Sequence, residues 1–281
     1  MPTLSQLIVY PIKSCAAMPV SEAMATISGL SAHGVHDREW MLVTEEGQFL
    51  TQREFPRMAT VNPRVEGDAL VVSAPGMPPL ALALAAQEAG RTLRVRIWDD
   101  LVEADDCGDA AAAWFGQVLD APCRLVRFKP QAARPTSEKW TGGAPSAARF
   151  ADAYPLLLIG QAALDEINGR MLAAGRAPLP MDRFRPNLVV IGTDPFEEDY
   201  TASFKAGDVL IAPVKPCARC PIPAIDQATG IPGPDPLDIL QSWRAKAILD
   251  GAVCVGMNCI VAAGAGGILR VGQPLEVSLS F

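Results

Sequence analysis

The sequence is poor in several residue types, and each shortage excludes a class of protein. Only 2 histidines occur among 281 residues, His33 and His36, so a histidine-based metal site or a histidine-dependent catalytic triad has little material. The formal net charge is −7 and no block of lysine and arginine occurs, which excludes nucleic acid as the main partner.

Long hydrophobic segments are also missing. No apolar run approaches the length that spans a bilayer, so no membrane span is predicted. The N-terminus lacks the charged region of a signal peptide, and residues 4–10 are typical of a first strand. We therefore expect a cytoplasmic protein.

The composition predicts a reduced, strand-rich protein. Seven cysteines, an odd number at irregular spacings, are typical of free thiols rather than of a disulfide framework. The 25 prolines and 23 glycines predict many turns and short strands. Strand patterns outnumber helix patterns, which favours a β-rich α+β fold with barrel-like sheets. The length favours two domains, with a transition near Ala121-Pro122 that gives domains 1–121 and 122–281.

The stretch 215–221, Lys-Pro-Cys-Ala-Arg-Cys-Pro, concentrates residues with chemical potential. It follows a hydrophobic run, and its two prolines predict a loop after a strand, because proline is excluded from helix interiors and central strands. Arg219 directly precedes Cys220, and a neighbouring cation favours the thiolate, which is the form that binds metals and attacks electrophiles. We interpret Cys220 as a metal ligand.

Cys-x-x-Cys alone is a weak motif, and other interpretations stay open. Cys217 and Cys220 fit two buried small residues on a turn. A thioredoxin-like role requires a helix that opens at the motif, where this chain has Pro221. A structural zinc site requires two further soft ligands, which Cys254 and Cys259 would supply from an apolar strand. The remaining interpretation is a single thiolate on a metal that carries other ligands of its own.

Other polar positions suit either an anion or a structural role. Lys13-Ser14 is either an ordinary strand end or an anion site with a hydroxyl donor. Asp37-Arg38 is typical of a surface ion pair. Arg185 lies between phenylalanine and proline, which favours a partly buried arginine of the kind that binds phosphate or heteroaromatic groups.

Two further segments are predicted to be exposed to solvent. Residues 129–149 are polar and rich in proline, glycine and serine, which predicts a long mobile loop. The acidic run at residues 197–199 predicts a solvated face.

Short segments along the chain resemble, in order, the motifs of one family. Together they are similar to the MOSC (molybdenum cofactor sulfurase C-terminal) family, in the branch that includes the mitochondrial amidoxime-reducing component and bacterial reductases of N-hydroxylated bases. The matching segments are Tyr10-Pro11-Ile12-Lys13-Ser14, Asp37-Arg38-Glu39-Trp40, Asp106-Cys107-Gly108, Phe150-Ala151-Asp152-Ala153-Tyr154-Pro155, Phe184-Arg185-Pro186-Asn187-Leu188-Val189-Val190, Gly207-Asp208-Val209, Lys215-Pro216-Cys217-Ala218-Arg219-Cys220, Gly256-Met257-Asn258 and Val271-Gly272.

The resemblance implies a fold and a cofactor. The expected fold is an N-terminal β-barrel domain followed by a MOSC β-barrel with peripheral helices. The expected cofactor is molybdenum bound to molybdopterin, with Cys220 as the protein ligand and the catalytic residue. Pyridoxal phosphate binding is a further association at the level of the family. The positions implied to hold the molybdenum cofactor are Lys13, Ser14, Arg38, Tyr154, Arg185, Asn187, Ala218 and Arg219.

The same resemblance implies an activity, namely reduction of N-hydroxylated compounds to amines or amidines with two electrons and two protons. No cysteine cluster of iron–sulfur spacing follows the last strand, so we expect electrons from a separate protein such as a ferredoxin, a cytochrome b5-like protein or a flavin reductase. Two alternatives stay open: a sulfur carrier with a persulfide on Cys220, and a non-catalytic module that binds the molybdenum cofactor.

Overall fold

The computed structural model describes residues 1–85 and 91–280, which form twenty strands and four α-helices. The first twelve strands are β1 (Thr3–Val9), β2 (Met18–Val20), β3 (Glu22–Thr26), β4 (Gly29–Ala32), β5 (Val35–His36), β6 (Trp40–Val43), β7 (Asn62–Glu66), β8 (Ala69–Ser73), β9 (Leu80–Ala83), β10 (Thr92–Ile97), β11 (Asp100–Asp106) and β12 (Arg124–Phe128). The other eight are β13 (Leu156–Gly160), β14 (Leu188–Ile191), β15 (Thr201–Ala206), β16 (Val209–Ala218), β17 (Ala245–Lys246), β18 (Ala252–Ala263), β19 (Ile268–Arg270) and β20 (Glu276–Leu279).

The helices are short and lie between strands. The α-helices are α1 (Asp109–Leu119), α2 (Glu138–Thr141), α3 (Gln161–Ala173) and α4 (Leu237–Arg244). The 3₁₀ helices are Pro56–Thr60, Met181–Phe184, Glu197–Tyr200, Ile222–Ala224 and Ala247–Leu249. Among the residues described, no helix combines the length and the hydrophobicity that crossing a membrane requires.

One large sheet joins the two ends of the chain. Its strands follow the order β2-β1-β14-β13-β18-β16-β15-β20, and β17 pairs with β18 outside this path. Strand β1 is antiparallel to β14, whereas β13 is parallel to β14. The sheet therefore takes its first two strands from the N-terminus and the rest from the second half of the chain.

Three smaller sheets complete the strand framework of the described residues. Their orders are β10-β11-β12-β6, β19-β3-β4-β5 and β7-β8-β9. Strand β19, near the C-terminus, pairs with β3 of the N-terminal half. Each half of the chain thus contributes strands to a sheet of the other half. The predicted β-rich α+β class is confirmed, and the domain transition at 121/122 stays a proposal.

Strand β16 corrects the prediction for the cysteine stretch. The strand does not end before the motif but continues through Pro213, Pro216 and Cys217 to Ala218, paired with β18. The pairing shifts register between Pro213 and Lys215 and again between Pro216 and Ala218. Pro213 and Pro216 keep register partners in β18, and each is followed by a residue without one, Val214 and Cys217. Proline has no N–H to donate, and inside strands it is found where a bulge interrupts the ladder. The expected loop is limited to the residues after Ala218.

Residues 129–149 are more ordered than predicted. They contain α2 and an isolated bridge between Pro135 and Ala147. Arg134 is buried, pairs with Asp100 at 2.6 Å and donates to the carbonyl oxygen of Asp152 at 2.8 Å. One guanidinium can satisfy several acceptors at once, which is why a polar sequence holds a fixed path here. The segment therefore contains more regular structure and more buried contacts than predicted, and its mobility stays a prediction.

The acidic run is buried rather than solvated. Glu198 is 1% exposed, and the side chain of Asp199 pairs with Arg244 at 2.9 Å and Lys246 at 2.8 Å. Both cations come from α4 and β17, about fifty positions later in the chain, so local sequence cannot reveal them. The prediction of a solvated face was therefore wrong.

Gly256 sets the close approach of β18 to β13. Its φ is +74°, and a Cβ there would lie 2.7 Å from the carbonyl oxygen of Leu158. Only glycine meets both conditions. Two residues later, Asn258 reaches the cavity described below.

Candidate functional site

One cavity of about 290 Å³ is lined by all nine residues singled out in the sequence. The N-terminal half contributes the turn after β1 and the turn before β6. The second half contributes the start of β13, the segment between β13 and β14, and the end of β16 with the loop that follows. The structure brings these residues together; their roles toward a cofactor stay predictions. They are Lys13, Ser14, Arg38, Tyr154, Arg185, Asn187, Ala218, Arg219 and Cys220.

The cavity is strongly cationic although the chain carries a net charge of −7. One carboxylate, Asp152, belongs to the lining of the cavity. Fixed cations around a concave site focus a positive potential that attracts anions. The lining cations are Lys13, Arg38, Arg53, Arg185, Lys215 and Arg219.

Four non-glycine residues of the lining have left-handed backbone. Their φ values are 64° for Ser14, 47° for Arg38, 53° for Trp98 and 56° for Arg185. Such conformations cost free energy and persist where the surrounding structure enforces them, often at functional sites. Each one turns the chain sharply at the point where its side chain reaches the cavity wall.

Tyr10 contacts two of the arginines of the lining. The guanidinium of Arg38 lies 4.2 Å from the centroid of the Tyr10 ring, and that of Arg185 lies 4.3 Å from it. Cation–π attraction and the hydrogen bond from the Tyr10 hydroxyl to the Pro186 carbonyl, 3.2 Å long, hold the ring in place. Burial raises the pKa of Tyr10 to about 12, so the phenol is neutral at physiological pH.

Asn187 orients Arg38 and is saturated by protein groups. Its Oδ1 accepts from Arg38 at 3.2 Å and from the Leu157 N–H at 3.1 Å. Its Nδ2 donates to Ile8 at 3.1 Å and to Asp37 at 2.9 Å. With both donors and both acceptor sites used, Asn187 acts on the cavity through Arg38. Asp37 pairs with Arg38 at 2.5 Å in the interior, so the surface ion pair predicted there was wrong.

Arg185 is fixed from behind by groups that the sequence did not single out. It donates to the Cys15 carbonyl at 2.7 Å and to Gln227 Oε1 at 3.0 Å. Gln52 bonds Gln227 at 3.0 Å and donates to the Ser14 carbonyl at 2.7 Å. Burial lowers the pKa of Arg185 from its ordinary value. No local pattern in the sequence marks either glutamine, because both act through residues distant in the chain.

Lys13 and Asp152 form an ion pair at the cavity wall. Lys13 Nζ lies 2.5 Å from Asp152 Oδ1 and donates to the Phe150 carbonyl at 3.0 Å. The lysine side chain is 6% exposed, whereas that of Asp152 is 65% exposed. Burial lowers the pKa of Lys13, and the carboxylate opposes this shift. Asp152 also accepts from Trp98 Nε1 at 3.2 Å. Asp152 lies in one of the segments that resemble the family, so the sequence could have marked it as a residue of the site. Trp98 lies in no such segment.

The cysteine motif places its arginine beside Cys217 rather than beside Cys220. Arg219 Nη1 donates to Cys217 Sγ at 3.3 Å, and its Nη2 donates to the Phe184 carbonyl at 2.8 Å. Its Nε is buried and has no hydrogen-bond partner among the described residues. Cys220 is half-buried between β16 and the 3₁₀ helix Ile222–Ala224. The contact expected between the arginine and Cys220 is thus made with Cys217.

The other cysteines of β18 are not arranged for a metal. Cys254 and Cys259 are buried, and their thiols lie 3.4 Å and 3.3 Å from the carbonyl oxygens of Ala252 and Met257. Burial raises the pKa of Cys254 to about 11, which disfavours its thiolate. No group of three or more His, Cys, Asp and Glu side chains suited to a metal ion occurs in the part of the chain that the structure describes.

Two family descriptions match consecutive parts of the chain. The description "MOSC N-terminal beta barrel domain" matches residues 1–122, and "MOSC domain" matches residues 145–276. The chain therefore belongs to the MOSC family and carries the N-terminal β-barrel domain of its larger members. This confirms the family inferred from the scattered motifs.

Similar proteins of known name include amidoxime-reducing components. Mitochondrial amidoxime reducing component 2 of Rattus norvegicus is 34% identical over 284 residues, which cover 97% of this chain and 82% of that protein. Mitochondrial amidoxime-reducing component 1 of Homo sapiens is 33% identical over 246 residues, which cover 86% of this chain and 72% of that protein. Among solved structures, the YUAD protein from Bacillus subtilis matches 99% of this chain and 96% of its own at 11% identity, with a TM-score of 0.35, too low to carry an argument.

Proposed function

We propose that this protein is a molybdenum-cofactor-dependent reductase of N-hydroxylated compounds, producing amines or amidines. The observation that carries the proposal is that a half-buried free cysteine, Cys220, lies in the wall of a cationic cavity. The relatives named for amidoxime reduction support the reaction class.

The donor set fits the molybdenum cofactor. A pterin phosphate is an anion, and the cavity offers six cations and one carboxylate. Arg219 Nε is buried without a partner among the described residues and borders this cavity, which suits an acceptor from a ligand. One cysteine is sufficient because the cofactor brings its own sulfur ligands, and soft thiolates suit such a metal.

Each lining residue has a definable task in this proposal. Cys220 would bind the metal. Arg38 and Arg185, which both contact the Tyr10 ring, would bind the phosphate, with Lys13 and the Ser14 hydroxyl as further donors. The cavity wall around these groups includes Tyr154, Ala218 and Arg219. Asn187 positions Arg38.

The reaction consumes two electrons and two protons, breaks the N–O bond and releases water and the reduced nitrogen compound. When bound, the molybdenum cofactor supplies the two-electron chemistry. The chain orients the substrate, and the positive charge of the cavity lining would hold the anionic phosphate of the cofactor. Tyr10 keeps its proton at neutral pH because its pKa is about 12 and its hydroxyl is engaged with Pro186.

The electrons would come from a separate redox protein, and a ferredoxin, a cytochrome b5-like protein or a flavin reductase all fit this requirement. Pyridoxal phosphate forms no part of the proposal, because none of the matching family descriptions or relatives' names mentions it. The cytoplasmic location stays a prediction, because the relatives' names place those proteins in mitochondria.

One observation favours a second candidate function, sulfur transfer. Cys217 and Cys220 border the same cavity, and the Arg219 guanidinium contacts Cys217 Sγ at 3.3 Å. A carrier of this kind would hold a persulfide without needing the pterin. Mass spectrometry of the intact protein separates the two functions, since a persulfide adds the mass of one sulfur atom.

The activity is tested by supplying a chemically reduced dye to molybdenum-loaded protein and measuring benzamidine formed from benzamidoxime. The proposal predicts turnover that requires both the donor and the loaded cofactor. Loaded protein that reduces no member of a panel of amidoximes, hydroxylamines and N-hydroxyguanidines would instead be a cofactor-binding module.

A further inference from the structure

A second concave surface adjoins the cationic cavity. This groove has a volume of about 630 Å³ and lies between the β10–β11 hairpin and α2. Its wall toward the cavity is shared, since five residues border both spaces. The shared residues are Trp98, Asp152, Ala153, Tyr154 and Lys215. A molecule lying in the groove can therefore extend one end toward the site of Cys220.

The turn of the β10–β11 hairpin has a tryptophan where glycine is favoured. Trp98 and Asp99 form the two-residue turn between β10 and β11, and Trp98 has a φ of 53°. In such turns a positive φ at the first position favours glycine, because a side chain is strained there. A tryptophan held in this conformation at a cavity is typical of a functional constraint.

Trp98 is held firmly but remains open to the groove. Its ring centroid lies 5.1 Å from that of Phe49, and the Arg53 guanidinium lies 5.0 Å from it. Its indole N–H donates to Asp152 at 3.2 Å. Even so, the residue is 43% exposed. The contacts fix the ring in place while one part of its surface stays free for a ligand.

The groove combines aromatic surface with a free carboxylate. Trp140 of α2 borders it, with Lys215 Nζ 5.5 Å from the Trp140 ring centroid. Asp100 and Asp152 are paired with Arg134 and Lys13. Asp99 makes no ion pair or side-chain hydrogen bond with any of the described residues, and it lines the same groove. Aromatic faces and a carboxylate together suit a flat, conjugated group with a cationic or N–H-bearing edge.

We propose that this groove receives the flat organic group of the substrate and that Trp98 sets a preference for aromatic over small N-hydroxylated compounds. The proposal rests on the proposed function, because it assigns the groove to the same reaction. Amidoximes and N-hydroxyguanidines conjugated to a ring have the required flat shape and N–H-bearing edge, and their N–OH group would point across the shared wall toward Cys220.

The first test measures binding without turnover. Benzamidine is flat and cationic and contains no N–O bond, so calorimetry on the full-length chain reports binding without reduction. Trp98→Gly removes the ring and accepts the positive φ, and we expect it to weaken benzamidine binding about three- to thirty-fold. Trp140→Ala, at another wall of the groove, is expected to weaken it in the same direction. Equal affinity in both variants and the parent protein, or no benzamidine binding by the parent, would overturn the proposal.

His33 provides a matched control. It is exposed, lies in the two-residue turn between β4 and β5, and has a φ of 51°. His33→Gly makes the same backbone change away from the groove and is expected to leave benzamidine affinity unchanged. A similar loss of affinity in His33→Gly would show that the effect of Trp98→Gly is general and not specific to the groove.

The second test uses turnover. In Trp98→Gly we expect the KM for benzamidoxime to rise by about the same factor as the benzamidine Kd, and by more than the KM for N-methylhydroxylamine. Equal changes for both substrates would overturn the specificity role. If the chain binds benzamidine through Trp98 but reduces no N-hydroxylated compound, the groove assignment stands and the proposed reaction fails.

Discussion

At the scale of single residues, the cavity contains two kinds of polar side chain. Some are saturated by protein partners, as Asn187 is, and these fix the geometry of others. Others still have capacity to spare: the Ser14 hydroxyl makes no side-chain hydrogen bond among the described residues, and Arg219 Nε is unpartnered. The first kind contributes to stability, and the second is available to a ligand.

Substituting one residue of each kind separates these effects. Asn187→Ala removes one buried hydrogen bond each from Asp37, Arg38, the Ile8 carbonyl and the Leu157 N–H, so we expect the free energy of unfolding to fall by about 2–4 kcal/mol. Ser14→Ala is expected to leave unfolding within about 0.5 kcal/mol and to weaken cofactor retention. Urea unfolding of the cofactor-free proteins checks both. An unchanged unfolding free energy in Asn187→Ala would contradict the positioning role.

At the scale of elements, several strands and helices follow from local patterns while the exceptions depend on distant residues. Strands β14 and β18 coincide with the hydrophobic runs at 188–191 and 252–263. Strand β16 extends into the cysteine motif because it pairs with β18 through irregularities that directly follow its prolines, which the sequence of β16 does not reveal. The acidic 3₁₀ helix Glu197–Tyr200 is buried because basic residues of later elements neutralise Asp199.

That 3₁₀ helix gives the protein a pH-dependent stability. Burial raises the pKa of Glu198 to about 7, with one carboxylate oxygen accepting from the Gly160 N–H at 3.2 Å and the other lacking a partner among the described residues. The neutral acid is favoured in the folded state. Its contribution is therefore complete below the ordinary glutamate pKa of about 4.3 and is lost as pH rises through 7, an effect on the order of 3 kcal/mol.

Glu198→Gln is neutral at every pH and is expected to remove this decline between pH 5 and about 8. The measurement is the unfolding free energy by urea across that range. Glu197→Gln serves as the control. Glu197 lies on the same helix as Glu198, is half-buried, and accepts a hydrogen bond from the Asp194 N–H at 2.9 Å. An unchanged slope in Glu198→Gln would show that other groups cause the pH dependence.

At the scale of the whole molecule, strand exchange builds the site. Strand β1 lies in the large sheet with β14, and β19 pairs with β3, so the turn carrying Lys13 and Ser14 is fixed against the elements carrying Arg185 and Cys220. A boundary at 121/122 describes the order of the chain, whereas the sheets cross it. The interlocking explains why the lining cations come from segments far apart in sequence.

The sequence revealed the site residues that lie in recognisable motifs and missed those that act by proximity. Cys220, Arg38 and Arg185 are marked by their neighbours in the chain. Neither Trp98 nor Gln227 lies in a motif that the sequence singles out. Their places in the cavity and behind Arg185 depend on packing between the halves, which no local pattern encodes.

The central claim is that Cys220 binds molybdenum in this cavity. The most direct measurement is the content of molybdenum, tungsten and zinc in protein purified from a host that makes molybdopterin, compared among the parent chain, Cys220→Ala and Cys217→Ala. We expect about one molybdenum per chain in the parent and in Cys217→Ala, and a loss of the metal in Cys220→Ala. Full molybdenum and full activity in Cys220→Ala, or zinc in place of molybdenum in the parent, would contradict this claim.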